Sequence, residues 1–255
     1  MISVSTFRLM KLQGWERKYG AILREFGFNK KDDLLAAKFL NSILDTKVSL
    51  DSLERKIRGK TVFVIGAGPS LSSSLTQVRK YRNVIKIVAD GATKALIQNR
   101  IRPDIVVTDL DGNLEYLKKA SKMDAIMVVH SHGDNIGTLP VSLLFRNCIG
   151  TTEGRPFDKI RNFGGFTDGD RCVFLARYFG AKKIIMFGMD FGEKIGAYSK
   201  EGKYDRKLKI AKLRKARSLL TWLASKGGCE FYTASEPVNG FQKIQFSEIT
   251  DVVRS

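Results

Sequence analysis

Two histidines and three cysteines are all that 255 residues hold of imidazole and thiolate metal ligands. Cys148, Cys172 and Cys229 are odd in number, widely spaced and without a Cys-x-x-Cys pair, which argues against a disulfide framework and a zinc site. A reducing cytoplasm fits that usage best. Long apolar runs are missing as well. The longest aliphatic stretches, such as Ala125 to Val129, are far too short to span a bilayer, and the N-terminus has no apolar h-region. A soluble, cytoplasmic protein that is neither exported nor membrane-bound is expected. Acidic residues are also in deficit, with 26 Asp+Glu against 44 Lys+Arg and a formal net charge of +18. That balance predicts attraction to something anionic: nucleic acid, a membrane surface or a phosphate-rich small molecule.

The 43% of hydrophobic residues suffices for one large α/β core. Residues 1–58 read as a helical segment. Trp15, Tyr19, Ile22, Leu23 and Phe26 recur at helical spacing up to Gly27, and Asn29 can cap a second helix carrying Leu34, Leu35, Phe39, Leu40, Ile43 and Leu44. This segment is expected to pack on the main domain as a cap without chemistry of its own. Over 59–255 short aliphatic runs alternate with helical stretches. Strands are expected at Val62–Ile65, Val84–Val88, Ile105–Val107, Ala125–Val129, around Cys148 and Ile149, at Lys183–Phe187 and at Glu230–Tyr232. The pattern predicts βαβ units and a Rossmann-like, doubly wound, mainly parallel sheet, with no internal repeat and no low-complexity linker.

In such sheets ligands bind outside the carboxyl ends of the strands. Carboxylates recur there. Ile105-Val106-Val107 runs into Thr108-Asp109-Leu110-Asp111-Gly112, where in extended chain Asp109 and Asp111 would share one side at roughly 6–7 Å between Cα atoms. Two carboxylates brought to about 4 Å repel by roughly 4 kcal/mol at an effective dielectric near 20, and a cation is the usual remedy. A solvated turn would also place Asp and Gly here. Asp90 follows the preceding strand in Ala89-Asp90-Gly91, and Asp190 follows a later one in Gly188-Met189-Asp190-Phe191-Gly192. The two histidines stand in His130-Ser131-His132 beside Asp134, where they could be metal ligands, phosphate donors or a general base.

Two stretches suit phosphate. Gly66-Ala67-Gly68-Pro69-Ser70-Leu71 joins the first strand to a helix, and Thr167-Asp168-Gly169-Asp170-Arg171 opens an apolar helix that Thr167 or Asp168 can cap. The first is not a Walker A loop, since no Gly-Lys-Ser/Thr follows. Between Lys200 and Arg217 nine basic residues surround a stripe of Leu213, Ala216, Leu220 and Leu223. Without a recognised nucleic-acid module or an aromatic stacking pattern, this helix is read as a solvated cationic face that draws phosphate-rich small molecules, with no specific nucleic-acid role.

Together the glycine turn, Ala89-Asp90-Gly91, Pro103-Asp104 through Asp111, Gly165 to Arg171 and Gly188 to Gly192 resemble the archaeal 6-hydroxymethyl-7,8-dihydropterin diphosphokinase (MptE-like) family. The helical start is similar too, with Trp15, Phe26-Gly27-Phe28, Asp32-Asp33 and Ala36-Ala37, so the likeness covers nearly the whole chain. The family is related in site design to thiamine pyrophosphokinase, whose Gly-Asp-x-Asp-Ser turn reads Thr108-Asp109-Leu110-Asp111-Gly112 here. The resemblance implies a Mg²⁺-dependent enzyme that transfers the β,γ-diphosphate of ATP to 6-hydroxymethyl-7,8-dihydropterin and releases AMP, in tetrahydromethanopterin or folate-type cofactor biosynthesis. It implies Asp90, Asp109 and Asp111 as the metal site. Asp109, Asp111, His130, His132, Asp170 and Arg171 become the catalytic candidates. Gly66, Gly68, Pro69, Ser70, Thr167, Asp168 and Gly169 become the nucleotide contacts, with Asp190 reading the pterin edge beside Phe166 or Phe191. A homo-oligomer is an open option. The rival readings are a nucleotide-sugar glycosyltransferase of the flagellin-glycosylation type and a nucleotide-binding protein without turnover.

Overall fold

The computed structural model describes residues 13–45, 48–199 and 204–255. Lys200 and Lys203 of the basic stretch lie outside them. Among the described residues three helices lead: α1 (Trp15–Phe26), α2 (Lys30–Ile43) and α3 (Leu50–Ile57). Gly27 ends α1 at φ 69°, and the Asn29 side chain accepts from the Lys31 amide to cap α2, both as the sequence suggests. Then come β1 (Thr61–Ile65), α4 (Leu71–Lys80), β2 (Ile85–Ala89), α5 (Asp90–Gln98), β3 (Ile105–Thr108), α6 (Leu114–Lys122) and β4 (Ile126–His130). The chain continues through β5 (Cys148–Thr151), β6 (Ile160–Arg161), α7 (Asp168–Tyr178), β7 (Lys183–Phe187), α8 (Arg206–Ala224), β8 (Glu230–Thr233), β9 (Gln242–Lys243) and α9 (Ile249–Arg254).

The nine strands form one sheet in the order β6-β5-β4-β3-β2-β1-β7-β8-β9, with every named pairing parallel. Strands buried on both faces need no alternation, which is why the β-branched runs could be read as strands. One face carries Val62, Val64, Ile87, Ile105, Val107 and Ile184 against Trp15, Ile22 and Leu53, and against α7 and α8. The other carries Val106, Met127 and Val129 against α2 and α6, and Phe63, Ile65 and Phe187 against α4 and α5. The doubly wound α/β expectation therefore holds. Strand order reverses between β1 and β7, whose ends Ile65 and Phe187 are paired. Beyond that switch point the loops cross closely: the Gly68 amide donates to Gly188 O at 2.7 Å. A Cβ on Gly188, at φ 62°, would run into Gly66 O.

No helix among the described residues is long and apolar enough to cross a membrane.

Candidate active site

Each crossover returns the chain so that strands β2, β3, β4, β5 and β7 all end at one edge of the sheet. Asp90 follows β2, Asp109 and Asp111 follow β3, His130 closes β4, Glu153 lies just past β5, and Asp190 follows β7. Ligand atoms of Asp90, Asp109, Asp111 and Asp168 lie within 4.8 Å of one another. The β3 pair meets through a turn, not along an extended chain as the spacing suggested: Leu110 takes φ 69°, and the Asp111 amide donates to Asp109 Oδ1 at 3.3 Å. Asp168, expected among nucleotide contacts, joins the cluster as its fourth carboxylate.

Asp90 is 3% exposed. Thr108 Oγ1 donates to its Oδ2, the Gly112 amide donates to the same oxygen at 3.2 Å, and its Oδ1 is buried without a hydrogen-bond partner among the described residues. Burial, with the charges of Asp109 and Asp111 behind it, pushes Asp90 up to about 7. Burial and the Asp109 charge also drive Asp168 well above the usual carboxylate range. Burial works the same way on Asp109. It is outweighed by the His132 hydrogen bond and by the His132 and Arg171 charges, which hold Asp109 below that range.

Around the cluster the side chains are fixed by further bonds. His132 Nε2 is 3.5 Å from Asp109 Oδ2, while its Nδ1 accepts the Asp134 amide at 3.3 Å. In the neutral ring the proton then sits on Nε2, facing Asp109. Arg171, 7% exposed, bridges Glu153 at 2.5 Å and Asp168 at 3.3 Å. Burial would raise Glu153, but His130 and the permanently charged Arg171 hold it at about 2. His130 is 2% exposed, with Nδ1 3.1 Å from Thr151 Oγ1 and Nε2 3.4 Å from Glu153. Burial and the Arg171 charge depress it to about 4, so the ring is neutral at pH 7.

Most of these residues border one cleft. His132, Glu153, Arg171, Thr167, Asp168 and Gly169 line it, together with Gly66, Ala67, Gly68, Gly188 and Asp190 beyond the switch point. Asp90, His130, Pro69, Ser70 and Asp170 are not in its lining. Asp170 is fully buried in the cap of α7, where it accepts the amides of Phe166 at 2.8 Å and Thr167 at 2.7 Å. Ser70 donates its amide to Asp190 Oδ2 at 2.8 Å and its hydroxyl to both carboxylate oxygens at 2.9 and 2.7 Å. Gly66 and Gly68 amides are engaged by Phe187 O and Gly188 O. The glycine loop thus offers close approach more than donors, because Asp190 already occupies the N-terminus of α4.

Two parts of the chain contribute beyond what the sequence suggested. The helical start supplies a wall, with Gly27, Phe28, Asn29, Asp32 and Asp33 in the lining. Asp33 fastens that wall, accepting Tyr19 Oη at 2.6 Å and the Gly133 amide at 3.0 Å. On α8, Lys209, Lys212 and Leu213 also line the cleft, which corrects the reading of this helix as a solvated face. Glu153 has no motif around it in Thr151-Thr152-Glu153-Gly154 to mark it in advance.

Comparison with known proteins places the chain in a family. A curated protein of Pyrococcus furiosus named 6-hydroxymethyl-7,8-dihydropterin pyrophosphokinase is 43% identical over 225 residues, covering 86% of this chain and 96% of its own. One of the same name from Methanocaldococcus jannaschii is 41% identical over 240 residues, covering 87% and 99%. Among solved structures, the Maf glycosyltransferase of Magnetospirillum magneticum AMB-1 superposes with a TM-score of 0.57 at 14% identity, over 86% of this chain and 39% of that one, a likeness of fold alone. Residues 37–196 match the family described as 6-hydroxymethylpterin diphosphokinase MptE-like. With that match over more than half its length, and relatives above 40% identity along most of the rest, the chain belongs to the MptE-like 6-hydroxymethylpterin diphosphokinase family.

Proposed function

We propose that the protein is a 6-hydroxymethyl-7,8-dihydropterin diphosphokinase of the cytoplasm. The hydroxymethyl oxygen of the pterin bonds to the β-phosphorus of ATP, the bridge to the α-phosphate breaks, and AMP leaves with the bridging oxygen. The product would enter tetrahydromethanopterin or folate-type cofactor assembly. The observation that carries the reading is the convergence of Asp109, Asp111 and Asp168, with the buried Asp90 clustered against them, and of the cations Arg171, Lys209 and Lys212 on one cleft at the carboxyl edge of the sheet. Transfer of phosphoryl groups is mostly positioning and charge neutralisation, and this is the equipment for both. The name shared by the relatives supports the pterin as acceptor.

Mg²⁺ suits the residues present. The donors are all carboxylate oxygens, and the orphaned, buried Asp90 Oδ1 points to a cation as its missing partner. Asp90, Asp109, Asp111 and Asp168 would hold it, and when bound it neutralises phosphate charge and polarises the phosphorus under attack.

The chain's own groups do the rest. His132 keeps Asp109 ionised and aimed, and as the histidine in the lining it is the one within reach of a phosphate oxygen or the hydroxyl proton. His130 acts at one remove, through Glu153, to hold Arg171. Asp170 sets the α7 cap, so that the unpaired amides of its first turn, at Asp168 and Gly169, open on the cleft. The switch-point loops at Gly66–Gly68 and Gly188–Asp190 take the nucleotide, where glycine lets a flat base and sugar come close to backbone. The acceptor then lies at the opposite end, against Phe28 and Phe166, with Asp33 behind. Chromatography of the nucleotides tests the reaction: AMP and a pterin diphosphate should form one to one, and stoichiometric ADP would refute the assignment.

A further inference from the structure

Among the described residues, Lys212 is the one lysine of the cleft held in place by aromatic faces. Its ammonium lies 5.2 Å from the ring centre of Phe28 and 5.8 Å from that of Phe166. Such contacts orient a cation without neutralising it. Among the described residues no carboxylate stands within ion-pair distance of it, whereas Arg171 is committed to Glu153 and Asp168. Burial depresses the lysine, partly offset by the charges of Asp109, Asp134 and Glu153, while Arg171 adds to the depression. A partly buried cation poised beside an acidic cluster, with no carboxylate paired to it among the described residues, is matched by an anion that spans the two.

We propose that Lys212 contacts the two phosphates that are transferred, and not the one that stays on the nucleotide. Direction along the cleft decides between them. Lys212, beside Phe28 and Phe166, feels the charges of Asp109, Asp134 and Glu153, which follow β3, β4 and β5, whereas the switch-point glycines follow β1 and β7, and β2 with Asp90 at its end lies between them in the sheet. A triphosphate entering from the glycine end reaches the carboxylates before it reaches Lys212, so its distal phosphates meet the lysine. The inference rests on the reaction assigned above and adds to it a residue that reads the travelling group.

Calorimetric titration in Mg²⁺ with inorganic pyrophosphate and, separately, with AMP tests this. Lys212→Met should weaken pyrophosphate binding roughly 10- to 100-fold, the loss expected for a hydrogen bond to a charged group. AMP affinity should change less than about 2-fold. Lys207→Met removes the same charge from an exposed site on α8 and should leave both affinities within about 2-fold. Lys212→Gln, with a polar stem, guards against a packing defect and should behave as Lys212→Met does. Unchanged pyrophosphate affinity in the Lys212 variants, an equal loss for AMP, or no pyrophosphate binding by the unaltered protein would each overturn the proposal. If pyrophosphate binding depends on Lys212 but ATP and the pterin yield no AMP, the reaction fails and the contact stands.

Discussion

Gly112 leaves the space that the Asp90 carboxylate fills: a Cβ at position 112 would fall inside that carboxylate, next to its buried Oδ1. The close approach ties the turn after β3 to the start of α5, and so brings the two arms of the acidic cluster together. Alanine at 112 must push Asp90 aside. It should cut turnover at least 100-fold while lowering stability by only about 1–3 kcal/mol, the usual cost of one extra methyl group in a packed site. Kinetics beside urea denaturation of Gly112→Ala measure both. Full activity would mean that Asp90 is not needed where it stands.

Asp90 itself should trade stability for activity. Its folded pKa of about 7 lies above an unfolded value near 3.9, so the native state binds the extra proton between the two and loses stability as pH rises through that window. About 3 units correspond to at most ~4 kcal/mol of penalty above pH 7. Asp90→Asn should therefore stabilise the metal-free protein at pH 8, by roughly 1–3 kcal/mol after its altered hydrogen bonds are counted. The same variant should lose turnover and any gain in melting temperature from added Mg²⁺. Thermal melts with and without the ion show whether it does.

His130 gives the opposite slope. Its pKa is about 4 when folded against about 6.5 when unfolded, so between those values the unfolded chain binds more protons and stability falls as pH falls. The loss amounts to about 3 kcal/mol and is complete near pH 4. His130→Gln removes the titrating group. The difference in unfolding free energy between the two proteins, followed from pH 7.5 to 4, should then narrow steadily below pH 6.5; a constant difference would place His130 in water.

Much of this was legible in the chain because the signals were local. Uninterrupted runs such as Ile105-Val106-Val107 and Lys183 to Phe187 announce strands buried on both faces, and Asp90, Asp109 and Asp111 follow such runs directly. β6 and β9 span two residues each, too few to set a period. Asp168 was hidden by its position: a first-turn aspartate reads as a cap until the fold sets it beside Asp109. Glu153 and Lys212 carry no local signal at all. An amphipathic pattern tells which side of α8 is buried, not which of its many cations faces a cleft, and that is decided by Phe28 and Phe166 from distant parts of the chain.

In the proposed reaction the β-phosphate travels with the γ-phosphate. ATP radiolabelled at the β-position, incubated with Mg²⁺ and 6-hydroxymethyl-7,8-dihydropterin, follows that atom directly. All transferred label should appear in the pterin product and none in AMP. Label retained in a nucleoside diphosphate while the pterin gains a single phosphate would contradict that reaction.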